Sequence, residues 1–214
     1  MKTKRKALLL SLCAVLLVVA SVMGTMAYLT STSATVTNTF TVGNVGITLD
    51  EAKANPDGTL VEGADRVKAN SYKLLPGHTY HKDPMVTVLN GSESSYIKMT
   101  VTFSKASELD AIFAPDGATL TNIFNGYDPA TWIAKGNTKD ATANTRTYEF
   151  WYKEAVGAPN DNVALDALFD SITVPGTITK DQLASIEGMT ITINAYAIQA
   201  DGFQDAAEAW SNKY

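Results

Sequence analysis

The alternation of apolar and polar side chains in residues 95–103 constrains the fold more than any other feature of the sequence. The apolar positions of this segment fall at every second residue and are Ile97, Met99, Val101 and Phe103. The positions between them are Lys98, Thr100 and Thr102. Successive side chains of a β-strand point to opposite faces, so this period of two predicts a strand with one buried face. Such a strand needs a sheet around it and a second layer that covers the apolar face.

Several other segments predict short secondary-structure elements. On the same alternating pattern, further strands are predicted at residues 36–42, 45–49, 84–89, 146–153 and 189–199. Helical spacing of apolar residues predicts short helices at residues 107–113, 162–169, 180–186 and 203–210. Residues 137–145 are polar and rich in Thr, Asn and Asp, and they predict an exposed loop. Together these elements predict an all-β fold with helical insertions, in which two sheets form a jelly-roll-like β-sandwich.

The N-terminus has the three-part layout of a secretory signal. A basic head is followed by an apolar run over residues 7–23 and then by small residues. Thr25 and Ala27 fit the positions three and one before a cleavage site, so cleavage is predicted between Ala27 and Tyr28. A retained membrane anchor is the alternative, but the run is shorter than the about 20 apolar residues that a spanning helix needs. We therefore expect residues 1–27 to be a cleaved signal peptide, and the protein to contact the membrane only through the uncleaved signal.

Removal of the signal peptide would leave an acidic protein without cysteine. It would take away four basic residues and the only cysteine, Cys13, and would change the formal net charge from −5 to −9. Such a charge argues against nucleic acid and against an anionic membrane surface as partners. The remaining chain, roughly 187 residues long, is sufficient for one sizeable core. Because no disulfide can form, the exported domain must be held together by its core alone, by a metal or by partners.

The segment after the predicted cleavage site, residues 28–42, forms an N-terminal arm ahead of the sandwich domain at residues 43–214. The arm is rich in Thr and Ser, and its apolar side chains include Val36, Phe40 and Val42. These positions suit a β-strand. Two roles remain open: the arm can be the first strand of its own sandwich, or it can be donated to a sheet edge of a neighbouring copy.

Three motifs resemble the TasA/camelysin family of Gram-positive surface proteins. They are GTMAYLT at residues 24–30, NTFTVGNVGI at residues 38–47 and LPGHTYHKDPMV at residues 75–86. The resemblance extends over residues 20–103, and beyond them it is only architectural. Ser31 and Gly46 stand where the family commonly has Asp.

The resemblance implies a secreted protein of the extracellular matrix or cell surface with a jelly-roll-like β-sandwich fold. It further implies a structural role in biofilm matrix fibres, in which each subunit donates its N-terminal strand to the next. The implied partners are other copies of the same chain, a signal peptidase of the SipW type and a minor matrix or anchor protein. No catalytic residue is expected on this interpretation.

The family also contains a metal-dependent protease, which makes a secreted metallo-endopeptidase the alternative function. The only histidines, His78 and His81, would then bind the metal together with Asp83. Zinc proteases of the H-E-x-x-H class place two histidines four positions apart on a helix, whereas here the spacing is three and prolines at 76 and 84 disfavour a helix. Two partly exposed polar residues ahead of a strand are therefore the preferred interpretation. No cofactor is expected, because the acidic clusters that calcium or zinc would need lack the spacing of known sites.

Overall fold

The computed structural model describes residues 43–113 and 123–211. The predicted signal peptide, with Thr25 and Ala27, lies outside the described residues. So do Tyr28 and the rest of the arm, including Val36, Phe40 and Val42. The cleavage site and the pairing of the arm therefore stay predictions.

The described residues form ten strands and three helices in chain order. The strands are β1 (Ile47–Asp50), β2 (Thr79–His81), β3 (Met85–Val88), β4 (Ser92–Ser104), β5 (Trp132–Asp140), β6 (Thr145–Tyr152), β7 (Val156–Ala158), β8 (Val163–Ala164), β9 (Ser171–Thr173) and β10 (Ile191–Gln199). The helices are α1 (Ala106–Phe113), α2 (Lys180–Ser185) and α3 (Ala206–Ser211). The fold is all-β with helical insertions, as the sequence predicts.

The largest sheet has the strand order β10-β4-β6-β5, with β7 paired to the beginning of β4. All of these pairings are antiparallel, and the register places Ile191 beside Phe103 and Ala197 beside Ile97. A smaller antiparallel sheet has the order β1-β3-β8, and β2 pairs with β9. The 13-residue strand β4 is therefore the centre of the structure.

The core lies between the apolar faces of the two larger sheets. The inward side chains of β4, predicted from their alternation, are all at most 6% exposed, and Val86 and Val88 of β3 are fully buried. Half-buried side chains of β1 and β10, such as Leu49 and Ile193, pack against this core at one side of the sandwich. Trp132 is fully buried, and its indole N–H donates to the carbonyl of Asp166 over 3.0 Å.

The predicted loop at residues 137–145 is wrong in its first part. Residues 137–140 belong to β5, which forms a hairpin with β6 and is an edge strand. Most of β5 beyond Trp132 is solvent-exposed. An edge strand exposed on both faces needs no apolar alternation, so its sequence is polar like that of a loop.

The predicted helix at residues 162–169 is also wrong. Val163 and Ala164 form β8, and the next residues follow β3 in extended form. The backbone N–H of Leu165 donates to Val86 O over 2.9 Å, and that of Leu168 donates to Pro84 O over 3.0 Å. Over so short a segment, the spacing of buried apolar residues is similar in a strand and on one face of a helix. The sequence pattern therefore could not distinguish the two.

The third predicted helix is confirmed in α2. Thr179 is its N-cap, and its hydroxyl accepts a hydrogen bond from the backbone N–H of Gln182, whose side chain accepts one in return from the N–H of Thr179. This capping box satisfies two backbone donors at the start of the helix. Of the helices within the described ranges, none is long and apolar enough to cross a membrane.

Candidate functional site: two facing sheet edges

Strand β10 is an edge strand that lacks the usual protection against pairing. Within the described ranges it pairs only with β4, in a register without interruption over nine residue pairs. Its sequence, ITINAYAIQ, contains neither a charged residue nor a proline. Soluble proteins usually protect exposed edges with lysines, prolines or bulges, because an open edge can pair with another chain. The edge of β10 is therefore open to an additional strand.

The opposite edge of the same sheet is different. In β5 the register with β6 shifts between Ala134 and Gly136, which marks a bulge. Lys135 and Lys139 lie on the same strand. A bulge and lysines are the devices that keep an edge from pairing. Only one of the two edges of the large sheet is thus open.

A groove separates β10 from β1, the edge strand of the smaller sheet. We call it the edge groove; Ile47 and Leu49 line it from β1, Ile191 and Ile193 line it from β10, and Asn70 and Lys82 line one end. The cavity has a volume of about 430 Å³. Past Ile191 it continues into a second cavity of about 820 Å³, whose apolar lining includes Leu74, Leu183 and Met189. Two open edges with apolar side chains between them are suited to an extended peptide.

The first described residue, Gly43, lies outside this groove, whose lining on β10 is Ile191 and Ile193. A side chain placed at Gly43 would lie 3.1 Å from Glu93 Cγ and 3.4 Å from Gln199 Oε1. The backbone N–H of Glu93 donates to Asn44 O over 2.9 Å, which fixes this segment beside the beginning of β4. The first described residue therefore lies beside the C-terminal end of β10.

A cluster of charged residues lies at the end of the groove that Asn70 and Lys82 line. Glu51 and Lys82 are 4% and 8% exposed, and the Lys82 ammonium contacts the Glu51 carboxylate. Nearby, the Arg66 guanidinium contacts Asp50 and donates to Asp83 Oδ2 over 2.8 Å. Burial opposes the charge of Arg66, but the hydrogen bonds to both carboxylates raise the pKa of its guanidinium.

The phenol of Tyr72 is part of the same environment. It donates to the carbonyl oxygen of His81 over 2.6 Å. Burial, together with the negative charge of Glu51, raises the pKa of Tyr72 well above its ordinary value. The surroundings of Glu51 are thus poorly solvated.

The residues predicted for the alternative metal site are only partly brought together. His81 Nε2 lies 3.6 Å from Asp83 Oδ1, and His81 is the last residue of β2. His78 lies ahead of β2, where it is exposed and its ring packs against Tyr80. In the described part of the chain, no group of three or more His, Cys, Asp and Glu side chains is arranged to hold a metal ion. Asp83 instead accepts hydrogen bonds from Arg66 and from the backbone N–H of Ala52.

Sequence reasoning missed both the acceptor edge and the buried cluster. The edge had a signal, since nine residues of a strand without charge or proline are unusual for an exposed edge. The contact between Glu51 and Lys82 joins residues 31 positions apart and had no signal in local spacing.

No protein-family model matches the chain, and neither a curated protein nor a solved structure matches it.

Proposed function

We propose that this protein is a secreted structural protein of the extracellular matrix or cell surface that assembles into fibres by strand donation. The arm of one copy would insert into the edge groove of the next, beside β10. The observation that carries the proposal is the open edge of β10, which faces the edge strand β1 across a groove that has apolar side chains on both strands.

The composition of the arm supports this assignment. From residue 28 to residue 49 the chain has no Asp, Glu, Lys, Arg or His. A strand that pairs with β10 and places side chains against the apolar residues of the groove must bring no unpaired charge with it. Backbone hydrogen bonds to the edge of β10 would supply affinity. Side chains such as Phe40, placed in the groove, would fix the register of the pairing.

The resemblance of the N-terminal motifs to the TasA/camelysin family supports the same function, because that family includes fibre-forming matrix proteins. It also supports export through a SipW-type peptidase. Both remain proposals for this chain, and each has its own test.

Engineered cysteines test the donation directly, since the protein without residues 1–27 has none of its own. We would replace Thr41 in the arm and the exposed Asn194 in β10 by cysteine and allow them to oxidise. Strand donation predicts a ladder of disulfide-linked multimers on a denaturing gel and fibres by electron microscopy. The control pairs Thr41→Cys with Thr138→Cys on β5 and should give no ladder. A cross-link that forms only within monomers, without fibres, would refute assembly by donation.

A further inference from the structure

The carboxylate of Glu51 bridges two nitrogen-bearing side chains in the interior. One of its oxygens contacts the Lys82 ammonium, and the other accepts a hydrogen bond from the Asn70 side-chain amide over 3.0 Å. The Glu51 and Lys82 side chains are 6% and 11% exposed. A primary amine, a carboxylic group and a carboxamide are thus adjacent, and the first two are largely buried.

The amide of Asn70 is held in a fixed orientation. Its oxygen accepts from the backbone N–H of Ala54 over 2.9 Å, and its nitrogen also donates to the carbonyl of Ala52 over 2.8 Å. A donor on the carbonyl oxygen stabilises the negative charge that forms there when a nucleophile attacks the carbon. The second oxygen of Glu51 lies beside the amide nitrogen, which is the group that would leave.

The Lys82 side chain has apolar residues on one side. Its side chain borders a small cavity that has an apolar lining, including Leu74, Ile172 and Met189. For the amine to react, one proton must pass from the Lys82 ammonium to the Glu51 carboxylate that contacts it. The transfer yields a neutral amine, which is a nucleophile, and a carboxylic acid, which is a proton donor.

We propose that Lys82 and Asn70 become joined by an intramolecular amide bond, with Glu51 as the proton-transfer group. The Lys82 nitrogen forms a bond to Cγ of Asn70 and gives up a proton, and the bond from Cγ to the amide nitrogen breaks. Glu51 carries the proton from the amine to the leaving nitrogen, which departs as ammonia. The reaction requires neither oxidant nor cofactor, because an amide and an amine give an amide and ammonia.

Such a bond would provide the cross-link that the absence of cysteine denies this exported domain. It would close the loop between residues 70 and 82 and fasten that loop to the end of the edge groove. A covalent link of this kind stabilises chiefly by restricting the unfolded chain. The proposal is independent of fibre formation, since it concerns a reaction within one copy.

Mass spectrometry of the intact, cysteine-free secreted protein tests the proposal. The cross-link predicts a mass lower than that of the sequence by one ammonia molecule. It also predicts that a protease digest contains one branched peptide joining the Lys82 and Asn70 segments. Cyclisation of an asparagine onto its own backbone loses ammonia too, and Asn90-Gly91 is a sequence where this can happen. The branched peptide distinguishes the two, since backbone cyclisation leaves the segments separate.

Two variants complete the test. Lys82→Arg keeps a positive charge beside Glu51 but lacks the nucleophilic amine. Glu51→Gln keeps Lys82 and Asn70, the two residues of the proposed bond, but removes the proton-transfer group. Both should show the full sequence mass and separate peptides. If either variant fails to fold, the digest of the unmodified protein still decides. Recovery of separate Lys82 and Asn70 peptides in that digest, with no branched peptide, would overturn the proposal.

Discussion

Gly43 lies against Gln199, the last residue of β10, so the described part of the chain begins at the C-terminal end of the open edge. An arm that continued straight back from Gly43 along its own β10 would run parallel to that strand. An arm from a neighbouring copy has no such restriction and can run antiparallel. Antiparallel pairs are slightly more stable per residue than parallel pairs. The point of attachment therefore favours donation to another copy.

The first prediction concerns the floor of the edge groove. Ile193→Lys places a charge among the apolar side chains that would contact the donated strand, so we expect fibres to be lost. Because Ile193 is only half-buried, the cost in free energy of unfolding should stay near 1 kcal/mol. Electron microscopy and thermal melting measure the two effects separately.

The matched control is Ile133→Lys on β5, the protected edge. Ile133 is 40% exposed, and its strand already carries a bulge and lysines. Fibres should form normally. If Ile193→Lys assembles as well as this control does, the edge groove is not the acceptor.

The second prediction concerns the arm itself. Thr39→Pro removes one backbone N–H and is poorly tolerated inside a sheet. We expect a folded monomer that cannot polymerise, with an unchanged melting temperature. Deletion of residues 28–37 should have the same result. A clear fall of the monomer's melting temperature in both variants would instead place the arm in its own sandwich.

The sequence predicted the sandwich well because burial in β4 obeys a simple periodic rule. The inward positions of that strand are buried as expected, and α2 begins at Lys180, the first residue of the third predicted helix. The rule fails where neither face is buried, so β5 could not be told from a loop. It also cannot show which strands come to lie at an edge, since that depends on pairing between distant segments. For the same reason, the contacts of Glu51 with Lys82 and Asn70 required the folded structure.

The third prediction concerns the pH dependence of stability at the junction of α1 with the β5–β6 hairpin. Asp110 of α1 accepts from Arg146 Nη2 over 2.6 Å and from Lys139 Nζ over 3.0 Å. Burial opposes ionisation, but these hydrogen bonds hold the pKa of Asp110 below its usual value. A depressed folded-state pKa stabilises the protein above the unfolded-state pKa, and the stabilisation is lost as pH falls through the folded-state pKa.

Asp110→Asn should therefore lower the free energy of unfolding at pH 7 and have a much smaller effect in strong acid. Urea denaturation at both pH values provides the measurement. The control is Asp161→Asn, because Asp161 is exposed and forms no ion pair within the described ranges. Equal destabilisation by Asp110→Asn at the two pH values would show that the ion pairs are not its cause.

The fourth prediction concerns the absence of metal-dependent proteolysis. The purified protein without residues 1–27 should not cleave casein, with or without a chelator. The chelator should also leave its melting temperature unchanged. The physical reason is that His78 and His81 do not join Asp83 in a ligand group within the described residues. Chelator-sensitive cleavage that disappears in the double variant His78→Ala, His81→Ala would establish the protease instead.

The last prediction concerns export. Thr25 and Ala27 are small residues at the positions that a signal peptidase inspects, so the secreted protein should begin at Tyr28. Ala27→Phe should leave the precursor in the membrane fraction, because the site before the cleaved bond admits only small side chains. N-terminal sequencing of the secreted protein and detection of Met1 in the membrane fraction measure the two results. The control Met26→Leu changes the residue between the two small positions and should be processed normally. Secretion of a protein that begins elsewhere than Tyr28 would move the start of the arm and, with it, the length of strand available for donation.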